Sequence, residues 1–205
     1  RLEEIWHKIA EETHDLAEEM GIATDILDLG GGIGIPYTEG DKPVEFKDIL
    51  TILHKVKEQY GWDKIWMELG RYAVGPYGHY LTQVIDRKTV RGKELLILDG
   101  GVNHIARPAI TGQPFPVDLF RESNEEKTSF QIHGPLCTAM DNLGDLKLPK
   151  DTGPGDWLVF HQCGAYGFTE GMPYFLCHNI PGEVIMYDGN LVIPRNPKKA
   201  EDWLV

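Results

Sequence analysis

Two short glycine-containing segments, Leu29–Gly34 and Glu68–Arg71, could together bind a phosphate group. Glycines let backbone N–H groups approach an anion closely, and the guanidinium of Arg71 can add a forked cationic contact. Glu68 places a carboxylate beside these groups, where it could pair with a ring nitrogen. The two segments therefore predict a site for a phosphorylated cofactor that carries a heterocyclic ring.

The glycine segment alone does not identify a ligand. It lacks the G-x-G-x-x-G spacing of dinucleotide-binding loops, and no Gly-Lys-Ser/Thr follows it as in a Walker loop. A tight turn without a ligand would have the same sequence. The pairing with Glu68 and Arg71 favours a compact phosphate site over that alternative.

Three further polar turns follow predicted strands in the second half of the chain. They are Asp99–Asn103 with Arg107 close behind, Gly134–Thr138, and Gly164–Gly167. Taken singly, Cys137 could be a reactive thiol or a buried apolar residue, and Tyr166 could bind a ligand or pack. Three such turns at strand ends are difficult to explain by packing, so we interpret them as functional.

The elements that position the first two segments have the order α-β-α-β. Apolar periodicity predicts one helix over residues 1–20 and a second from Phe46 to a stop at Gly61. The face of the first helix would hold Leu2, Ile5, Ile9, Leu16 and Met20. Short buried strands follow the helices at 26–29 and 65–68. We therefore predict that residues 1–72 form an α/β unit, the C-terminal end of a TIM-like (β/α)8 barrel.

From residue 73 onward, long helical patterns give way to short strands. The candidates are Tyr80–Asp86, Leu95–Asp99, Ser129–His133, Trp157–His161, Glu183–Met186 and, after a hairpin turn at Asp188-Gly189, Leu191–Ile193. Residues 112–126 are interpreted as an exposed loop, and Trp66 and Trp157 as core. We predict an antiparallel β domain over residues 73–205, a barrel or a sandwich, which carries the cysteine and tyrosine loops.

Composition excludes several classes of partner. The 205 residues are 41% hydrophobic and 25% charged, and the net charge of −12 argues against nucleic acid or an anionic membrane. No apolar run reaches the ~18 residues that a membrane-spanning helix needs. The histidines lack metal-ligand spacing, so no metal is expected. The three cysteines cannot all pair, which favours free thiols in the cytoplasm.

The motifs, in this order, resemble the pyridoxal-phosphate-dependent decarboxylases of the alanine-racemase-like fold (fold type III). That family includes the diaminopimelate, ornithine and arginine decarboxylases, and the resemblance covers nearly the whole chain. It implies a barrel domain followed by a β domain, pyridoxal 5'-phosphate as cofactor, and a homodimer whose active sites are shared between subunits. An amino-acid-derived small molecule would be the substrate.

The resemblance also assigns roles to individual residues. The cofactor phosphate would be held by Gly31, Gly32, Gly70, Arg71 and Tyr166, and the pyridine nitrogen would pair with Glu68. Cys137, contributed by the other subunit, would return a proton to the substrate carbon. Substrate would contact Arg71, Arg107, Thr138 and Tyr166.

The Schiff-base lysine of that family has no counterpart among the lysines here. In the family it lies on an early barrel strand, together with a histidine that stacks on the cofactor ring. Residues 1–20 already have a helical pattern, and the chain opens on Arg1 rather than methionine. We therefore expect this chain to be the C-terminal part of a longer protein and to need an N-terminal part for catalysis.

Departures from the family pattern bear on the substrate. Members that act on diamine precursors have an acidic residue after the cysteine, where this chain has Thr138, and a second such position holds Thr111 and Gly112. A buried ammonium without a carboxylate would cost several kcal/mol, unless Asp141 or another residue compensates. Arg107 matches the family arginine that receives a distal carboxylate.

We therefore predict a substrate whose distal end is acidic or acylated. Diaminopimelate, a citryl-amino acid in siderophore biosynthesis and a carrier-linked glutamyl group all satisfy this description. Two other functions stay open: a catalytically silent homologue that acts as a binding or regulatory partner, and a racemase of the same fold. The presence of Glu68, Arg71, Cys137 and Tyr166 argues against the silent homologue, and the Cys137 loop favours decarboxylation over racemisation.

Overall fold

The computed structural model describes residues 2–38 and 40–203. It divides into two compact units, the first ending at Val74 and the second beginning at Gly75. The sequence prediction placed a boundary between residues 72 and 73. No helix within the described residues is long and apolar enough to cross a membrane.

The first unit is built from helices around a pair of parallel strands. Its elements are α1 (Leu2–Met20), β1 (Ile26–Asp28), α2 (Phe46–Tyr60), β2 (Lys64–Trp66) and α3 (Gly70–Val74). Strands β1 and β2 pair in parallel, with Leu27 opposite Ile65. Helix α2 supplies the crossover connection that a parallel pair needs. The predicted α-β-α-β order and the stop of α2 are confirmed, since Gly61 adopts φ 72° and its N–H donates to the Lys57 carbonyl.

The core of this unit lies between the two long helices and the strands. Buried residues from α1 (Trp6, Ala10), α2 (Ile49, Val56) and the strand β1 (Leu27) pack together there. The predicted face of α1 was wrong in part, because Ile5, Leu16 and Met20 are exposed. The buried face of α1 is centred on Trp6 and Ala10, which lie one turn apart, and the three exposed residues lie outside that face.

The second unit contains a six-stranded sheet with the strand order β5-β8-β3-β4-β6-β7. The strands are β3 (Tyr80–Val90), β4 (Lys93–Leu98), β5 (Val117–Leu119), β6 (Lys127–His133), β7 (Asn142–Pro149) and β8 (Trp157–Phe160). Four of the neighbouring pairs are antiparallel, but β4 and β6 run parallel. The predicted purely antiparallel sheet is therefore wrong. The long β4–β6 connection, which carries the short helix α4 (Arg107–Thr111), makes the parallel pairing possible.

The edge strands β5 and β7 lie in contact, so the sheet is nearly closed. Two strands were missed from the sequence. Strand β5 has three residues and falls within the predicted 112–126 loop. In β7 the register shifts at Gly144, which has φ 106°, and this irregularity breaks the alternation that identifies a strand.

A separate hairpin follows, formed by β9 (Glu183–Tyr187) and β10 (Asn190–Arg195), and a last short helix α5 spans Ala200–Trp203. The predicted hairpin turn is confirmed, since Asp188 and Gly189 have φ 48° and 73°, the left-handed values of a type I′ turn. The core prediction for Trp66 and Trp157 was wrong. Both are partly exposed, because each lies at the end of its strand.

Candidate active site

The two glycine-containing segments of the first unit lie side by side. The hydrogen bonds between β1 and β2 continue beyond both strands: Leu29 N–H donates to the Trp66 carbonyl at 3.0 Å, and Glu68 N–H donates to the Gly30 carbonyl at 2.9 Å. The turn after β1 and the turn after β2 therefore begin at one edge of the sheet. This is the adjacency that the strand–helix–strand order predicts.

The glycines of the first turn are required for different reasons. Gly30 and Gly32 have φ of 67° and 87°, a backbone region that disfavours residues with a side chain. Gly31 is required for space, since a Cβ atom there would overlap the carbonyl oxygen of Glu68. Space beside Gly32 is open, with no atom within 4 Å of where its Cβ would lie. The turn thus presents exposed backbone next to Glu68, an arrangement that fits a phosphorylated ring.

Arg71 lies in the first turn of α3, half-buried. Its guanidinium carbon is 5.8 Å from the centre of the Tyr37 ring, a cation–π distance. The helix is tied down by Tyr72, whose hydroxyl donates to the Val44 carbonyl at 2.8 Å. Gly70 begins the helix and is exposed, as is Glu68 just before it. Arg71 therefore lies in the same unit as the glycine turn and contacts the loop that follows it.

In the second unit, Cys137 lies in the loop that joins β6 to β7, with its side chain exposed. The loop closes on itself, because Gly134 N–H donates to the Asp141 carbonyl at 3.2 Å and Asp141 N–H donates to the Thr138 carbonyl at 3.2 Å. Leu136 is buried and Thr138 half-buried. The loop therefore presents the thiol outward on a fixed backbone.

Asp141 is the residue that holds this loop in place. Its carboxylate is buried, and it accepts hydrogen bonds from Leu136 N–H at 2.6 Å and from Val102 N–H at 2.8 Å. A Cβ atom at Gly101 or at Gly134 would overlap that carboxylate, so both glycines are needed for its position. Asp141 therefore joins the Cys137 loop to the Gly100–Asn103 turn.

Arg107, Tyr166 and a residue that sequence reasoning missed, Glu170, form a cluster. Arg107 Nη1 lies 3.2 and 3.1 Å from the two carboxylate oxygens of Glu170. The Arg107 guanidinium also lies over the Tyr166 ring, 4.8 Å from its centre. Tyr166 has φ 57°, a costly conformation for an aromatic residue and one that clusters at functional sites. An acidic side chain thus already neutralises the arginine that was expected to receive a distal carboxylate.

A buried histidine and a half-buried cysteine of the second unit have structural roles. The His104 ring lies between the Tyr80 hydroxyl, 2.7 Å from Nδ1, and the Asn179 carbonyl, 2.9 Å from Nε2. Burial lowers the pKa of His104. The ring is therefore neutral with its proton on Nε2, because the carbonyl can only accept. Partial burial raises the pKa of the Cys163 thiol to about 12, which makes this thiol much less reactive than an exposed one such as Cys137.

The three cysteines are free thiols. Within residues 2–38 and 40–203, no group of three or more His, Cys, Asp or Glu side chains could hold a metal ion.

Comparison with known proteins places this arrangement in a family. Residues 36–164 match the family model described as the C-terminal sheet domain of the pyridoxal-dependent decarboxylases. The L-glutamyl-[BtrI acyl-carrier protein] decarboxylase of Niallia circulans is 31% identical over 202 residues, which cover 92% of this chain and 47% of that protein. The diaminopimelate decarboxylase of Bacillus subtilis is 32% identical over 202 residues, covering 92% and 45%.

Solved structures agree with this match. The diaminopimelate decarboxylase of M. jannaschii in complex with L-lysine superposes with a TM-score of 0.83 at 27% identity, and the match covers 98% of this chain and 46% of that one. The chain thus spans about half the length of the curated relatives it matches. On the strength of the matched sheet domain, the chain belongs to the family of pyridoxal-dependent decarboxylases.

Proposed function

We propose that this chain contributes the C-terminal part of an enzyme that uses pyridoxal 5'-phosphate to remove the α-carboxylate of an amino acid. The substrate's distal end is acidic or acylated. The names of two relatives support this substrate class, since one acts on a carrier-linked glutamyl group and another on diaminopimelate. Because those relatives are about twice as long, we assign the Schiff-base lysine to a segment outside these residues.

The first unit would hold the cofactor. Gly31 and Gly32 present backbone to its phosphate, with Gly70 and Arg71 on the adjoining turn. The observation that carries the proposal is the hydrogen bond from Glu68 N–H to the Gly30 carbonyl, because it keeps the backbone of Glu68 beside the glycine turn. When bound, the cofactor supplies an electron-poor ring that accepts the electron pair left as CO₂ departs. The Glu68 carboxylate would keep the pyridine nitrogen protonated, which makes the ring a better acceptor.

The second unit would supply the proton and the substrate contacts. Cys137 Sγ would hold the proton that is returned to the substrate carbon, and a thiol suits this role because its surroundings can adjust its pKa. Arg107, Thr138 and Tyr166 would contact the substrate. We further propose a cytoplasmic homodimer whose partner subunit contributes this thiol. Residues 1–72 would be the end of a (β/α)8 barrel.

The test uses the full-length protein. Addition of pyridoxal 5'-phosphate should produce an absorbance band near the visible edge, and CO₂ should be released from substrates with an acidic or acylated distal end. Glu68→Gln should bind the cofactor but lose activity by about 100-fold, because an amide cannot keep the ring nitrogen protonated. Glu58→Gln, an exposed substitution on α2, should leave activity unchanged.

Other outcomes identify the alternatives. Absence of the absorbance band would point to a catalytically silent binding partner. Loss of the substrate's optical rotation without release of CO₂ would indicate a racemase. Fast turnover of free ornithine or lysine would refute the substrate class.

A further inference from the structure

The guanidinium of Arg107 already forms an ion pair with Glu170, a residue of the same unit. Glu170 contacts Arg107 Nη1 through both carboxylate oxygens, and the two side chains expose only 17% and 34% of their surface. The Tyr166 ring lies against the guanidinium. Breaking an ion pair that is partly shielded from water is unfavourable, because each charge loses its partner without regaining full solvation.

The backbone holds both partners independently of their contact. Arg107 begins α4, which ends at Gly112 with a left-handed φ of 69° and a hydrogen bond from Gly112 N–H to the Pro108 carbonyl. Glu170 ends the short 3-10 helix Phe168–Glu170. Met172, two residues further on, donates its N–H to the Val102 carbonyl at 3.0 Å. The ion pair is therefore pre-formed, and a ligand does not have to assemble it.

This pairing decides which distal groups can bind beside Arg107. A free carboxylate would have to displace Glu170 or lie next to it, and like charges at close range repel. A distal ammonium would be repelled by the positive charge of the guanidinium. A neutral carbonyl group meets neither penalty, since a guanidinium carries donors on nitrogens other than Nη1.

We propose that Glu170 is a specificity-determining residue that makes this site select amino acids whose side-chain carboxyl group is held in an amide, ester or thioester, rather than free acids. The inference rests on the proposed function, in which Arg107 contacts the distal end of the substrate. Within the class of acidic or acylated substrates, it selects the acylated ones.

A matched pair of ligands tests this in the full-length protein loaded with pyridoxal 5'-phosphate. 4-Aminobutanamide and 4-aminobutyrate differ only in a neutral amide and a free carboxylate at the distal end. Calorimetry on the wild type should give a dissociation constant about tenfold lower for the amide. In Glu170→Gln, which leaves Arg107 without its anion, the carboxylate should become the tighter ligand. Glu125→Gln, which removes the exposed ion pair with Lys150, should leave the ratio unchanged.

The outcomes separate the inference from the proposed function. Binding of both ligands with a ratio that Glu170→Gln does not alter would overturn the inference alone. So would tighter binding of the carboxylate by the wild type, a measurement that requires no variant to fold. Failure of the loaded protein to bind either ligand, together with no absorbance band, would overturn both.

Discussion

The backbone N–H of Glu68 donates a hydrogen bond to the carbonyl oxygen of Gly30, at 2.9 Å. This bond lies beyond the ends of β1 and β2, so the parallel pairing extends into the two turns that carry the proposed cofactor contacts. The position of the Glu68 backbone therefore depends on the backbone of the glycine turn. A change in that turn should alter cofactor binding without touching any polar side chain.

Gly31→Ala tests this dependence. A Cβ atom at residue 31 would overlap the Glu68 carbonyl oxygen, so the two turns must separate. Overpacking of this kind costs about 1–3 kcal/mol, and we expect at least about a tenfold loss of pyridoxal 5'-phosphate affinity in the full-length protein. Absorbance titration measures it. Gly34→Ala is the control, because a Cβ atom there meets nothing within 4 Å. Equal affinity of the two variants would contradict the prediction.

The sequence correctly predicts that these two turns lie side by side, for a physical reason. A strand–helix–strand unit places consecutive parallel strand ends at one edge of a sheet, so local pattern suffices to bring the glycine turn and Glu68 together. The buried face of α1 was harder to predict. The aliphatic residues of α1 have helical spacing, but the larger Trp6 side chain is the one buried in the core with Leu27 of β1.

Contacts between distant parts of the chain could not be predicted in this way. Asp141 accepts a hydrogen bond from Val102, 39 residues away, and Glu170 pairs with Arg107, 63 residues away. Neither pairing leaves a local pattern, because each depends on how the loops of the sheet meet. Strand β7 was missed for a different reason, since the register shift at Gly144 breaks the alternation that identifies a strand.

Asp141→Asn should loosen the Cys137 loop. Each carboxylate oxygen accepts a hydrogen bond from a backbone N–H group. In the asparagine variant, an amide nitrogen replaces one of these oxygens, and it cannot accept the hydrogen bond that the backbone N–H group donates. An unsatisfied buried group of this kind costs about 1–3 kcal/mol of unfolding free energy. Amide hydrogen exchange should accelerate at Leu136 and Val102, and the melting temperature should fall. Asp145→Asn, exposed on β7, is the control. Unchanged exchange at Leu136 would rule out the assigned role of Asp141.

The cysteines should differ in reactivity toward iodoacetamide. Alkylation requires the thiolate, and burial raises the pKa of Cys163 to about 12 from an ordinary value of 9.0. At pH 8 the exposed Cys137 should be modified and Cys163 should stay unmodified until the protein unfolds. Cys177 is exposed as well and should also react early. Peptide mass spectrometry distinguishes the three sites, and Cys137→Ser should remove only the early product at residue 137. Modification of Cys163 in the native protein at the rate of Cys137 would contradict this expectation.

His104 should make stability depend on pH. Its ring is buried between Tyr80 and the Asn179 carbonyl, and burial lowers its pKa from the ordinary value of 6.5. The unfolded chain therefore binds a proton near pH 6.5 that the folded chain does not bind until the pH is lower. The contribution of the neutral ring is complete above pH 6.5 and is lost as the pH falls toward the folded-state pKa.

The measurement is denaturant unfolding of the wild type and of His104→Gln between about pH 5 and pH 7.5. One such group contributes a slope of at most about 1.4 kcal/mol per pH unit. At neutral pH the variant should be less stable than the wild type, because it loses the contact with Tyr80. Below pH 6.5 the wild type should lose stability faster than His104→Gln. The two plots of unfolding free energy against pH should therefore converge as the pH falls. Parallel curves over this range would show that His104 takes up its proton equally in the folded and unfolded chains, and the assignment of a neutral buried ring would then be wrong.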